Sequence, residues 1–146
     1  MLFRSGALGF GYMPEDRRLV PDFTVEENIL LPVDALRIAD APKRLEWIYG
    51  HMPEIVRFRE RRAAALSGGQ QKMVALARAL IVGNRLLLLD EPFEGLAPAL
   101  ALRLADVLAG LKRDGVSILV AESHDVHLQG LLTDACRIER GRVTAN

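Results

Sequence analysis

Two acidic residues that directly follow a short apolar run are the first candidates for chemistry. Four consecutive leucines, residues 86–89, precede Asp90 and Glu91. Such a run predicts a buried strand of a parallel sheet, and ligands of open α/β folds bind at the carboxyl ends of these strands. One acid at that edge can hold Mg2+, directly or through water, and a second can accept a proton from water that attacks a phosphoryl group. Asp90 is therefore the candidate magnesium ligand and Glu91 the candidate general base.

A serine and two glycines before a helical pattern form a candidate anion site. Residues 67–70 read Ser-Gly-Gly-Gln and come directly before apolar positions at helical spacing. The hydroxyl and the backbone N–H groups would lie at the positive end of the helix dipole, where glycine lets an anion approach closely. Alone, the serine could be a helix cap and the acids a polar strand end. The uninterrupted order of glycine-rich helix, apolar strand and acid pair favours a phosphate site.

The first half of the chain predicts one strand and three helices. Residues 10–13 predict a strand that leads into a charged loop. Thr24 can cap a helix of two to three turns, with Glu27 at the reciprocal capping-box position, and this helix should end near Pro32 or slightly beyond. Apolar residues recur irregularly over 42–62, where a glycine and a proline interrupt them, which predicts two short helices.

In the second half of the chain, predicted strands and helices alternate more regularly. Pro98 opens a helix that should run to about Arg113, and residues 117–121 predict another buried strand. A short helix over 125–132 and a final strand over 136–139 complete the pattern. Strands and helices in this order predict an α/β fold with parallel strand pairing.

Composition narrows the class of protein. Of the 146 residues 50% are hydrophobic and 26% are charged, and the formal net charge is zero. These values argue against a disordered chain and against an electrostatic nucleic-acid binder. The length suits one domain or part of one. The single cysteine, Cys136, lies in an alternating stretch and is interpreted as a strand residue in a reducing compartment rather than a disulfide partner.

Four segments together resemble the motifs of an ATP-binding-cassette (ABC) ATPase. Leu-Ser-Gly-Gly-Gln at 66–70 is similar to the signature, and Leu-Leu-Leu-Leu-Asp-Glu-Pro at 86–92 to Walker B. Glu-Gly-Leu-Ala-Pro at 94–98 resembles the D-loop, and Ser-His-Asp at 123–125 the switch segment. The resemblance covers nearly the whole chain. It implies the carboxyl-terminal portion of a P-loop NTPase, with parallel strands, flanking helices and a small α-helical subdomain.

The resemblance also implies a role for each motif residue. Four signature residues would hold the γ-phosphate of an ATP bound mainly to the opposite subunit: Ser67, Gly68, Gly69 and Gln70. Asp90 would serve Mg2+, Glu91 would activate the lytic water, and His124 would contact the γ-phosphate. Glu15 stands where the family normally has glutamine, and its carboxylate is still an oxygen ligand for Mg2+.

Organisation and partners follow from the same resemblance. About 24–82 should form the helical subdomain with the signature helix, and about 83–146 the Walker B, D-loop and switch part of the catalytic core. The phrases at 11–18 and 21–28 resemble the ATPase subunits of branched-chain amino acid importers. Such a subunit would be cytoplasmic, would use ATP and Mg2+, and would pair with a second ATPase subunit. We further expect the segment 32–62 to meet permease subunits at the inner face of the cell membrane, and we expect no nucleic-acid partner.

The family's lysine loop does not occur in this sequence. There is no Gly-x-x-x-x-Gly-Lys-Ser/Thr stretch, whose amides wrap the nucleotide phosphates and whose lysine neutralises them. We therefore expect the 146-residue chain alone to be inactive as an ATPase, and we interpret it as a truncated importer subunit. We also expect the leucine strand to have an unpaired apolar edge, which would favour aggregation or oligomerisation.

Two other functions stay open at this point. A degenerate regulatory subunit would donate only the signature motif to a partner's nucleotide, although it would have no need of Glu91 and His124. A DNA-repair type ABC ATPase shares the signature and Walker B. Its head is split by long coiled-coil arms, however, and residues 15–66 carry no heptad pattern.

Overall fold

A three-stranded parallel sheet lies at the centre of the fold. The computed structural model describes residues 8–83, 85–124 and 126–145. The strands, in spatial order, are β1 (Phe10–Met13), β2 (Leu86–Asp90) and β3 (Ser117–Ala121). Met13 pairs with Leu89, and Asp90 pairs with Ala121. All three strands therefore end at one edge of the sheet, which confirms the predicted α/β fold with parallel pairing.

The position of β2 corrects the expectation of an unpaired leucine edge. β2 is the central strand and pairs with β1 on one side and β3 on the other, so that expectation is wrong. Apolar surface is exposed on a face of the sheet instead. Leu119 is 63% exposed and Tyr12 40% exposed, whereas Leu87 on the opposite face is buried. Side chains alternate between the two faces of the sheet, and within the part of the chain that the structure describes one of these faces is not covered by helices.

Helices cover the other face of the sheet. The α-helices of the described residues are α1 (Val25–Leu36), α2 (Ala41–His51), α3 (Pro53–Val56), α4 (Gly68–Val82) and α5 (Pro98–Arg113). α4 packs against α1, α2 and β1, and its residues Met73, Leu76 and Leu80 are buried. Because it is apolar on most sides, α4 is the core helix around which the others are arranged. Within the described ranges no helix has the length and hydropathy needed to cross a membrane.

The first helix forms as predicted, and the second runs through an expected interruption. Thr24 caps α1 in a capping box with Glu27, and α1 ends at Leu36, slightly beyond Pro32 as predicted. Burial of its apolar face against α4 outweighs the hydrogen bond that proline removes. Likewise, the glycine at position 50 lies inside α2 rather than between helices.

The predicted helix over 125–132 is not formed in its described part. Residues 126–131 form turns, and Asp125 lies outside the described residues. Leu128 is buried and its carbonyl accepts the Leu131 N–H at 2.9 Å, but Gly130 adopts φ 83. A left-handed residue of this kind stops helix propagation after a single turn.

The last predicted strand forms, but not in the main sheet. β4 (Cys136–Glu139) pairs antiparallel with β5 (Arg142–Ala145) in a separate two-stranded sheet. Arg140 and Gly141 connect them with φ values of 48 and 76, the combination that a tight two-residue hairpin requires. The expected parallel pairing is therefore wrong for this strand.

Candidate functional site

The amino end of α4 is a capped helix start that keeps its side-chain donors. Ser67 Oγ accepts the Gln70 N–H at 3.3 Å, and Gln70 Oε1 accepts the Ser67 N–H at 3.0 Å. This capping box uses only the acceptor atoms of the two side chains. The Ser67 hydroxyl and the Gln70 amide can therefore still donate to an anion at the positive end of the helix.

Packing explains the two glycines that follow Ser67. A Cβ atom on Gly69 would lie 2.2 Å from Leu100 Cδ2 on α5. A Cβ atom on Gly68 would lie 3.2 Å from Arg17 Nη1. A side chain at position 69 would therefore displace the end of the Leu100 side chain, and one at position 68 would press on the Arg17 guanidinium.

The two predicted acids end β2 in different environments. Asp90 is half-buried and accepts a hydrogen bond from the Tyr12 hydroxyl at 3.3 Å. Glu91 adopts the left-handed φ of 46, which a residue with a Cβ atom reaches only when its surroundings hold it. Its N–H donates to the Ala121 carbonyl at 2.9 Å, and its carbonyl accepts from Lys72 Nζ at 2.6 Å.

The Glu91 carboxylate is held by the segment that follows β3. Ser123 donates to it twice, from Oγ to Oε1 at 2.6 Å and from the backbone N–H to Oε2 at 3.3 Å. These bonds from Ser123, together with one from Glu122, lower the pKa of Glu91. Burial, with the nearby Glu91 carboxylate, raises the pKa of Glu122 to about 7. Near neutral pH Glu91 is therefore ionised, whereas Glu122 is divided between its protonated and its ionised form.

The remaining predicted site residues lie at the same edge of the sheet. His124 is exposed, one residue beyond Ser123, and its charge helps to lower the pKa of Glu91. In the described ranges it is Ser123, not His124, that hydrogen-bonds to Glu91. Glu15 is exposed in the loop after β1, close enough for its charge to act on Lys72.

Two carboxylates at this edge, Asp90 and Glu15, are the predicted magnesium ligands. No group of three or more potential ligands (His, Cys, Asp, Glu) is arranged to hold a metal within the described part of the chain. Asp90 is the last residue of β2, and Glu15 lies in the loop after the neighbouring strand β1. Both offer carboxylate oxygens, the ligand type that Mg2+ prefers, and Mg2+ usually completes its coordination with waters and substrate phosphates.

An arginine network that sequence reasoning missed joins the loop after β1 to α4. Arg17 Nη1 donates to the Gly68 carbonyl at 3.1 Å and to Gln71 Oε1 at 3.3 Å. Arg78 donates to the carbonyls of Arg17 and Arg18. Both of these loop arginines have left-handed φ values, 61 and 47. Because the hydrogen-bond partners are far apart in sequence, no spacing pattern could have identified the network. The available signal for it was a charged residue, Arg78, within an apolar helix.

Comparison with known proteins identifies the class and then the family. A family model described as ABC transporter matches residues 4–94. The chain is 34% identical over 131 residues to BraG of Pseudomonas aeruginosa, a high-affinity branched-chain amino acid transport ATP-binding protein, which covers 90% of the chain and 56% of BraG. It is 39% identical over 137 residues to the lipoprotein-releasing system ATP-binding protein LolD of Cereibacter sphaeroides, which covers 91% of the chain and 60% of LolD.

A solved structure agrees on the fold. An ATP-binding cassette of an ABC transporter in its ADP conformation superposes with a TM-score of 0.81 at 21% identity, covering 97% of this chain and 61% of that one. The molecule thus has the fold of ABC ATPase cassettes, a P-loop NTPase fold. The chain belongs to the ABC transporter ATP-binding family, which confirms the predicted family. It spans between 53% and 60% of the length of the curated relatives it matches.

Proposed function

We propose that this chain is an ATP-binding and ATP-hydrolysing subunit of an ABC importer, of the branched-chain amino acid type, with Glu91 as general base. The observation that carries the proposal is the held, ionised Glu91 carboxylate at the carboxyl end of β2. The similarity to BraG and the two importer-like phrases near the amino end support the cargo class. LolD is named for lipoprotein release, so the fold alone does not select the cargo.

In the proposed reaction Glu91 takes the proton of the attacking water. Its ionised carboxylate can accept that proton as the water oxygen bonds to the γ-phosphorus, while the bond from the γ-phosphorus to the oxygen bridging it to the β-phosphorus breaks and ADP leaves with that oxygen. Asp90 and Glu15 would hold Mg2+, which neutralises charge on the phosphate oxygens. His124 would contact the γ-phosphate. The donors for a nucleotide held mainly by the opposite subunit would be Ser67, Gly68, Gly69 and Gln70.

The proposed assembly is a dimer of ATPase subunits on membrane permease subunits, at the cytoplasmic face of the membrane. This arrangement comes from the family resemblance. Since the sequence contains no lysine loop, we propose that the 146-residue chain alone does not turn over ATP. The second candidate is a regulatory subunit that donates only the signature motif, an interpretation that would leave the held carboxylate of Glu91 without a use.

Joining the missing motif to the intact chain tests the proposed function. The fused chain carries a lysine-loop segment from a complete ABC ATPase in front of all 146 residues. We expect magnesium-dependent ATP hydrolysis by the fused chain and none by the chain alone. Glu91→Gln should lower kcat roughly 100- to 10,000-fold, the contribution of a general base. Glu60→Gln is the matched control, since the Glu60 side chain is 89% exposed in the turn after α3 and its loss should leave kcat of the fused chain unchanged.

Three results would contradict the proposal. A fused chain that folds and binds ATP but does not hydrolyse it would favour the regulatory subunit. Retention of activity by Glu91→Gln would exclude Glu91 as the base. Hydrolysis by the chain alone would show that the lysine loop is dispensable.

A further inference from the structure

Lys72 is a buried cation on α4 that the proposed reaction does not use. It is 6% exposed and lies beside the buried Met73. Burial lowers the pKa of Lys72, while the negative charges of Glu94 and Glu122 favour its ammonium form. Burying a lysine is unfavourable unless its ammonium is hydrogen-bonded and its charge is compensated. The partner of that ammonium is therefore informative.

The partner is the main chain of the proposed base. Lys72 Nζ donates to the Glu91 carbonyl at 2.6 Å. Glu91 has the left-handed φ of 46, so its main chain needs support from its surroundings. The Glu91 N–H is bound to Ala121 of β3, and its carboxylate is bound to Ser123. Lys72 is the contact that ties the same residue to α4.

We propose that Lys72 is a positioning residue, which fixes the Glu91 main chain to α4 and so orients the Glu91 carboxylate toward the attacking water. The inference rests on the proposed role of Glu91 as base. Lys72 follows Ser67 on the same helix by five positions, roughly 7–8 Å along the axis. A displacement of the helix end that meets the nucleotide therefore moves the Lys72 ammonium and, with it, the Glu91 carbonyl.

A purely charge-balancing role makes a different prediction. If Lys72 only compensated Glu94 and Glu122, its removal would alter those carboxylates and leave the Glu91 main chain in place. If Lys72 positions Glu91, its removal must change the conformation of residue 91 and weaken the Ser123 contact. A conservative donor at position 72 must then restore both.

NMR on the labelled, intact chain separates these two roles. Lys72→Met removes the donor but keeps an unbranched apolar side chain that a buried site accepts. We expect it to shift the Glu91 carbonyl carbon and the Ser123 amide well beyond the changes in Lys43→Met, a control at an exposed position of α2. Lys72→Arg should return both resonances toward wild type. If both resonances in Lys72→Met stay where they are in the control, the proposal is wrong.

A measurement on the unmodified chain covers the case in which Lys72→Met does not fold. The hydrogen bond predicts a scalar coupling between the Lys72 side-chain nitrogen and the Glu91 carbonyl carbon, together with slow exchange of the ammonium protons. Detection of the coupling supports the positioning role. Fast-exchanging ammonium protons with no coupling would overturn it.

Kinetics of the fused chain provide the functional result. Lys72→Met should lower kcat at least tenfold and leave KM for ATP within twofold, because Lys72 orients the base and does not bind the nucleotide. Lys72→Arg should recover most of the loss. Unchanged kcat in Lys72→Met would overturn the inference. An inactive wild-type fused chain would instead refute the proposed function, and the NMR results would still decide whether Lys72 positions Glu91.

Discussion

Replacement of Ser67 by alanine can separate the structural role of its hydroxyl from its proposed role at the phosphate. Two helices begin with the same capping box, α4 at Ser67 and α1 at Thr24. The hydroxyl oxygens accept the third helical N–H at 3.3 Å and 3.1 Å. Removal of either cap should lower the free energy of unfolding by about 1 kcal/mol, a fall in Tm of about 2–4 °C for a chain of this size.

Only the Ser67 hydroxyl is expected to donate to a phosphate. A hydrogen bond to a charged group contributes about 1.5–3 kcal/mol, so Ser67→Ala should lower kcat/KM of the fused chain roughly ten- to hundredfold. Thr24→Ala should leave kcat/KM within about twofold under conditions where both variants stay folded. Thermal melts and steady-state ATPase assays measure the two effects on the same samples. Equal losses of activity in both variants would show that Ser67 acts only as a cap.

Two further predictions concern stability. Gly11→Ala should lower the free energy of unfolding by about 1–3 kcal/mol, because its Cβ would lie 2.2 Å from the Ala79 carbonyl oxygen. Gly50→Ala has open space inside α2 and should raise the free energy of unfolding by about 0.5–1 kcal/mol. Urea titrations that ranked the two variants in the opposite order would refute the packing argument. Because the pKa of Glu122 is raised to about 7 from its ordinary 4.5, the folded state binds more protons than the unfolded state between these pH values, so its contribution to stability falls as pH rises through the window. Glu122→Gln should flatten that decline in urea titrations from pH 4.5 to 8, and an unchanged slope would contradict the raised pKa.

Local sequence signals were sufficient to predict an element whose own residues mark where it begins and ends. α5 begins at Pro98 and ends at Arg113, as predicted, because proline suits the first helical position and Asp-Gly follows the last. β3 has the predicted bounds 117–121. The predicted capping box of Thr24 and Glu27 also forms, and α4 begins directly after Ser67, where the helical spacing placed its start.

Long-range packing decided the elements that sequence reasoning missed. The end of α1 slightly beyond Pro32 was predicted, but its packing against α4 was not, because no local pattern encodes that contact. Strand order likewise depends on the whole sheet, which is why β2 was wrongly expected at an edge. For β4, the alternation of residue types identifies a strand but not its pairing partner. The tight turn at Gly141 selects antiparallel pairing with β5.

The candidate site shows the same division between local pattern and tertiary contact. Glu91 could be selected from its place after the leucine strand, but the residues that hold it are 19 positions away at Lys72 and 32 positions away at Ser123. Through Lys72 and through Arg17, the carboxyl ends of β2 and β1 are both fixed to α4. Ser67 at the start of α4 and the proposed base Glu91 are therefore connected through the same helix. If Glu91 is the base, a displacement of α4 reaches it through Lys72, and a lysine loop would have to add both nucleotide binding and the positive charge that neutralises the phosphates.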